Sequence, residues 1–114
     1  MATFDLIVGV LYDRLLVSGQ LTGGFETDDF IDTIENAEKA SKNLIIDFAN
    51  CNFISSIVIG LLLKKHISFG ESNLKLVIIG LNSILESVFK MTKMNTILYI
   101  EPNLESAEKK FFAK

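Results

Sequence analysis

Two adjacent serines, Ser55 and Ser56, stand inside the most apolar run of the chain, "DFANCNFISSIVIGLLLKKH" at residues 47 to 66. Serine is neither a strong core residue nor a strong former of helix interiors, because its hydroxyl competes for nearby backbone groups; such a pair marks a boundary. The neighbouring residues with chemical potential form no catalytic set. Asp47 ends an apolar strand pattern, but no nucleophile and base pair is readable around it. Cys51 is the one cysteine, and it reads as a small buried residue rather than a nucleophile. His66 has no second histidine and no Cys/His cluster beside it, so no metal site is expected. Gly23-Gly24 lacks the spacing and the lysine of a phosphate loop. Met91 and Met94 with Phe89 read as core or as an apolar partner-facing edge, not as a cofactor box. No catalytic residue, cofactor or metal is expected, and the chain does not read as an enzyme.

The elements that position the serines follow from the pattern around them. The polar interval "NCN", residues 50 to 52, is expected to turn the chain after a buried strand at 43 to 49, leaving Ser55 or Ser56 to cap the helix that follows. That helix is expected over 56 to 68, buried around most of its circumference by Ile57, Val58, Ile59, Leu61, Leu62, Leu63 and Ile67, with Lys64, Lys65 and His66 in its last turn. Gly60, one turn after Ser56, is expected against a neighbouring backbone. Before this unit, residues 4 to 12 and 14 to 21 read as paired strands. A helix capped by Thr27 follows, with Phe30, Ile31, Ile34 and Ala37 on its apolar face. After it, "LKLVIIG" at 74 to 80 is another buried strand. Ser83 and Glu86 read as a capping box opening a third helix, "TILYI" as a last strand, and Pro102 as a first-turn residue of a terminal helix. The order is β-β-α-β-α-β-α-β-α, an α/β class with a mixed sheet.

Composition agrees with one domain spanning residues 1–114. Hydrophobic residues make up 49% and charged residues 22% of the chain, a globular balance that can bury one core, and the longest apolar run is too short to span a membrane. The net charge is −3, with eight acids against Arg14 alone up to residue 38 and ten bases against six acids thereafter. Scattered lysines and one arginine argue against direct nucleic-acid binding. The opening residues carry Asp5 where a secretory signal needs positive charge, so a cytoplasmic location is expected.

In order and spacing, "LVSGQLT", "NLIIDFANCNFISSIVIGLLLKKH" and "LKLVIIGLNSILESVFKMTKMNTILYIEPNLESAEK" resemble the STAS domain of bacterial anti-sigma factor antagonists. The resemblance implies a four- to five-stranded sheet flanked by helices on one side, with the second helix beginning at a regulatory serine. In the family that serine follows an aspartate and precedes Ser-Gly. A gapless alignment on Phe53 and Gly60 puts Ser56 on the phosphorylated position, Ser55 on the aspartate, and Ile57 and Val58 on the Ser-Gly pair. Only the central serine is retained. The resemblance implies Ser56 as the phosphorylation candidate, with Ser55 second, and Ser55, Ser56, Ile57 and Gly60 as a partner-binding surface. The implied partner is an anti-sigma factor serine kinase, with a serine phosphatase to reverse the mark. The alternative is a STAS scaffold, or an accessory subunit of a signalling or lipid-transport complex, that works without phosphorylation.

Overall fold

The computed structural model describes residues 2–113. The chain forms β1 (Ala2–Ile7), β2 (Asp13–Leu21), α1 (Phe25–Lys39), β3 (Leu44–Ile54), α2 (Ser56–Glu71), β4 (Leu76–Ile79) and α3 (Ser83–Met91). A 3₁₀ turn, Met94–Thr96, then leads to β5 (Tyr99–Glu101) and α4 (Leu104–Ala107), which runs on as a π-helical turn over Glu108–Phe112. The sheet order is β1-β2-β3-β4-β5, with β1 antiparallel to β2 and the other pairs parallel. Each parallel step requires a crossover, and right-handed crossovers between successive neighbours place α1, α2 and α3 on one face.

That face holds the main core. Phe30 and Ile34 of α1, Val58, Leu62 and Phe69 of α2, and Leu85 and Phe89 of α3 pack on Leu15, Val17, Leu44, Ile46, Phe48, Leu76 and Ile78. The expectation of helices on one side only is corrected by the C-terminal segment. Ile45, Val77 and Ile79 point to the opposite face, where Ala107, Leu104, Phe111 and Phe112 cover them. Burial on both faces explains why β3 and β4 read as continuous apolar runs.

The interval Asn50-Cys51-Asn52 is not a turn but part of β3. Two register shifts against β2, after Leu16 and after Gly19, each insert one extra residue into β3. Bulges reset the alternation, so Phe48, Cys51 and Ile54 point inward three residues apart while Asn50 and Asn52 face water. β4 stops at Ile79, opposite Asp47, and β3 beyond Asp47 therefore pairs with β2 alone, as far as Ile54.

The helix caps also differ from expectation. α1 starts after Gly24, and Thr27 is buried, its Oγ1 accepting from the Gly23 N–H at 3.0 Å. α3 is capped by Asn82 rather than Ser83, Oδ1 accepting from the Leu85 N–H at 2.9 Å. α2 continues to Glu71 because Phe69 is drawn into the core, so Lys64, Lys65 and His66 lie within the helix. Lys65 there pairs with Glu35 at 2.8 Å and Glu38 at 3.6 Å across to α1.

Candidate functional site

The C-terminal ends of the parallel strands are where α/β sheets gather functional residues, and the two serines lie there. Ser55 is the N-cap of α2. Its backbone is extended, its Oγ accepts from the Val58 N–H at 3.3 Å, and its own N–H donates to Leu21 O at 2.9 Å. The cap thus ties the helix to the end of β2. Ser56 is the first helical residue and is exposed, taking no part in that cap. Ile57 beside it is 64% exposed, whereas Val58 and Ile59 enter the core.

α2 is accordingly amphipathic, not buried around most of its circumference: Ser56, Ile57, Gly60, Lys64 and Ile67 face outward. Gly60 has no atom within 4 Å of a Cβ built on it, so the expected backbone approach is absent. It lies instead on the exposed face of the turn after Ser56.

The β2–α1 turn completes the surface. Gly23 has φ +98, and a Cβ there would sit 3.7 Å from both Ile57 Cδ1 and Ser55 Oγ. Phe25, just beyond, is 91% exposed, and Phe53 at the end of β3 is half-exposed. The glycine pair reads in sequence as punctuation alone; the positive φ of Gly23 and its place beside Ser55 are set by tertiary structure and leave no local signal. On the other flank the Asn82 side chain donates to Cys51 O at 3.4 Å, bringing the α3 head, with exposed Ile84, toward the same end of β3.

Charge distinguishes the α2 head. α1 has Glu26 and Asp28 in its first turn, α3 has Glu86 and α4 has Glu105. The first turn of α2 has no acid, so the partial positive charge of its N-terminus is uncompensated by its own side chains.

The remaining candidates are accounted for structurally. Cys51 is buried, and burial pushes its thiol pKa up, away from thiolate chemistry. Burial lowers the pKa of His66, whose ring meets Tyr99 edge-on at 4.9 Å. Asp47 accepts from the Ala49 N–H at 2.9 Å and faces Arg14 at 3.8 Å. Phe89 is core, Met94 packs against it in part, and Met91 is exposed. No group of three His, Cys, Asp or Glu side chains suited to a metal ion occurs among the described residues, and no helix among them is long and apolar enough to cross a membrane.

A five-stranded mixed sheet with a serine-headed second helix defines the class of protein. The STAS domain family model matches residues 17–107, and the chain belongs to that family. Among solved structures, an anti-sigma factor antagonist from Mycobacterium paratuberculosis is similar over 96% of this chain and 92% of its own, with 15% identity and a TM-score of 0.84. A Thermotoga maritima protein proposed to be an anti-sigma factor antagonist gives 94%, 92%, 15% and 0.83 in the same order. The Bacillus cell fate determinant SpoIIAA in its phosphorylated form gives 94%, 98%, 14% and 0.68. At these identities the likeness is one of fold. No curated protein matches the chain in sequence.

Proposed function

We propose that this STAS domain is an anti-sigma factor antagonist: it binds an anti-sigma factor serine kinase through the head of α2 and is released by phosphorylation of Ser56. It works as a protein-binding module in the cytoplasm rather than as an enzyme, and it controls sigma-factor-dependent transcription indirectly. The observation that carries this reading is the division of labour between the serines. Ser55 holds the cap, leaving Ser56 exposed on a helix end without acids, next to the exposed Ile57. A phosphate there would bring about −1.5 to −2 charges to a helix N-terminus that tolerates an anion, so the fold would persist. A partner docked over the same end would meet new charge and lose affinity. Gly60 on the outward face would let that partner approach the helix backbone closely.

Incubation with an anti-sigma factor serine kinase from the same organism and ATP, read by intact mass, tests the reading. One phosphate is expected on the wild type and none on Ser56→Ala, while Ser56→Asp binds the unphosphorylated chain's partner more weakly with no loss of stability. A second reading rests on Ile57 and Val58, which replace the Ser-Gly pair after the serine: a scaffold that needs no phosphorylation. It predicts an unmodified Ser56 and equal affinity of Ser56→Asp and wild type, which would remove the switch.

A further inference from the structure

The sheet has two edges, finished differently. β5 is three residues long, and its Tyr99, though 38% exposed, is flanked by His66 at 4.9 Å and Phe111 at 4.8 Å between ring centres. β1 is six residues long, pairs with β2 one-to-one from Ala2↔Gly19 to Ile7↔Arg14 without a register shift, and has no strand beyond it. It carries no lysine, proline or bulge, and of the devices that normally blunt such an edge it has only one charge, the exposed Asp5. The segment after it is aliphatic and uncharged. Val10 is 96% exposed, Val8 is 72% exposed, and Leu6, Ile7 and Leu11 are each about half-exposed.

This loop is held in place. The buried Asp13 carboxylate accepts from the Gly9 N–H at 3.2 Å and pairs with Lys42 at 3.0 Å. The Lys42 ammonium also donates to Gly9 O, and the Asn43 amide donates to Leu11 O at 3.1 Å. The backbone is fixed while its side chains project into water. At these exposures the five residues leave roughly 500 Å² accessible in all, with Ile7, Val10 and Leu11 grouped beside Tyr12 and Arg14 and Leu6 on the opposite face of the strand. The edge backbone brings the total toward the ~800 Å² per partner of a standard interface.

We propose that β1 and the 8–12 loop pair with a second copy of this chain, β1 against β1 in antiparallel fashion about a twofold axis, extending the sheet across two protomers. Centring the pair on Leu6 sets Leu6 against Leu6, Phe4 against Val8 and Asp5 against Ile7, so the two Asp5 carboxylates do not face each other. A second copy accounts for both the open edge and the apolar loop. An anionic lipid surface would account for the loop alone, and the nearest cations are already engaged, Lys42 by Asp13 and Arg14 by Asp47. The serines lie at the far end of β2, so pairing leaves both α2 heads exposed.

Sedimentation equilibrium over a concentration series tests this. The wild type is expected to approach twice the 12.7 kDa monomer mass, and Leu6→Lys and Val10→Asp each to weaken dimerisation at least tenfold. Val10→Asp alters a side chain that is almost wholly in water, so its circular dichroism should match the wild type, and so should its melting curve at concentrations low enough to keep the wild type monomeric. Hydrogen exchange should show the alternate β1 amides that point away from β2 protected in the dimer and exposed in both variants, while those bonded to β2 stay protected throughout. A monomer at every concentration, or a dimer that both variants leave intact, overturns the proposal. So does co-sedimentation of a monomeric protein with phosphatidylserine vesicles, which assigns the loop to lipid.

Discussion

The head of α2 reads Ser55-Ser56-Ile57-Val58 and the head of α3 reads Asn82-Ser83-Ile84-Leu85. Each begins with a polar cap whose oxygen accepts from the N–H three residues on. An exposed serine, an exposed isoleucine and a buried aliphatic residue follow in both. The capping chemistry is the same, so a capped serine-headed helix is not in itself a functional signature. The two differ in charge and in approach. α3 has Glu86 in its first turn and α2 has no acid there; α3 is reached through Gly80 at φ +78, whereas α2 follows directly from β3. The α3 head is already neutralised and locked, and the α2 head is left able to accept an anion.

The largest expected effect lies in that approach. At Gly80 a Cβ would meet Asp47 Oδ1 at 2.6 Å and Ala49 N at 2.9 Å. Gly80→Ala combines left-handed strain of about 1–2 kcal/mol with overpacking of about 1–3 kcal/mol, so a loss of roughly 2–5 kcal/mol is expected in denaturant melts. Gly60→Ala on α2 should do the opposite, gaining about 0.5–1 kcal/mol, because its Cβ would enter open space on a helix. Destabilisation by Gly60→Ala would restore the backbone approach that the geometry denies.

The caps come next in size. Ser55→Ala and Asn82→Ala should each cost about 0.5–2 kcal/mol. Asn82 should lie higher in that range, since it also donates to Cys51 O and its bond to Leu85 is the shorter, at 2.9 Å against 3.3 Å for Ser55 and Val58. Urea titrations of both variants would show it, and the reverse order would break the likeness drawn between the two heads.

These positions also show how far the sequence could be read. The buried strands and the apolar stripe of α1 were legible because their periods of two and 3.6 are local properties; the α3 stripe expected from Ile84, Leu85, Val88 and Phe89 was legible only in part, since Ile84 is exposed. The boundary at the serine pair was legible for another reason, that serine suits caps better than cores or helix interiors, although which of the two serines caps was not. β3 beyond Asp47 was not, because two bulges convert alternation into the three-residue spacing Phe48, Cys51, Ile54, which resembles a polar turn. The caps Gly24 and Asn82 lie close to the expected Thr27 and Ser83; the point at which the chain leaves the sheet chooses among neighbouring polar residues, and that point is set by strand pairing. The outward placement of Ile57, Gly60 and Ile67 was hidden because an apolar residue carries no mark of which one the core leaves out. The contact of Gly23 with the α2 head joins residues more than thirty positions apart, beyond any local pattern.

The smallest effect is the most diagnostic for the site. A carboxylate at the first position of a helix interacts favourably with its N-terminus, by about 0.3–1 kcal/mol at low ionic strength. Ser56→Asp should realise that gain because the first turn of α2 holds no acid. Ser83→Asp should realise little of it, because Glu86 already occupies the first turn of α3, and like charges three residues apart on a helix repel by a similar few tenths of a kcal/mol. Added salt should shrink the difference, since both terms are exposed and screened. Paired chemical melts at low and high salt measure it. Equal gains at both heads would mean that the absence of acid does not set α2 apart, and the argument for an anion-accepting switch would then rest on partner binding alone.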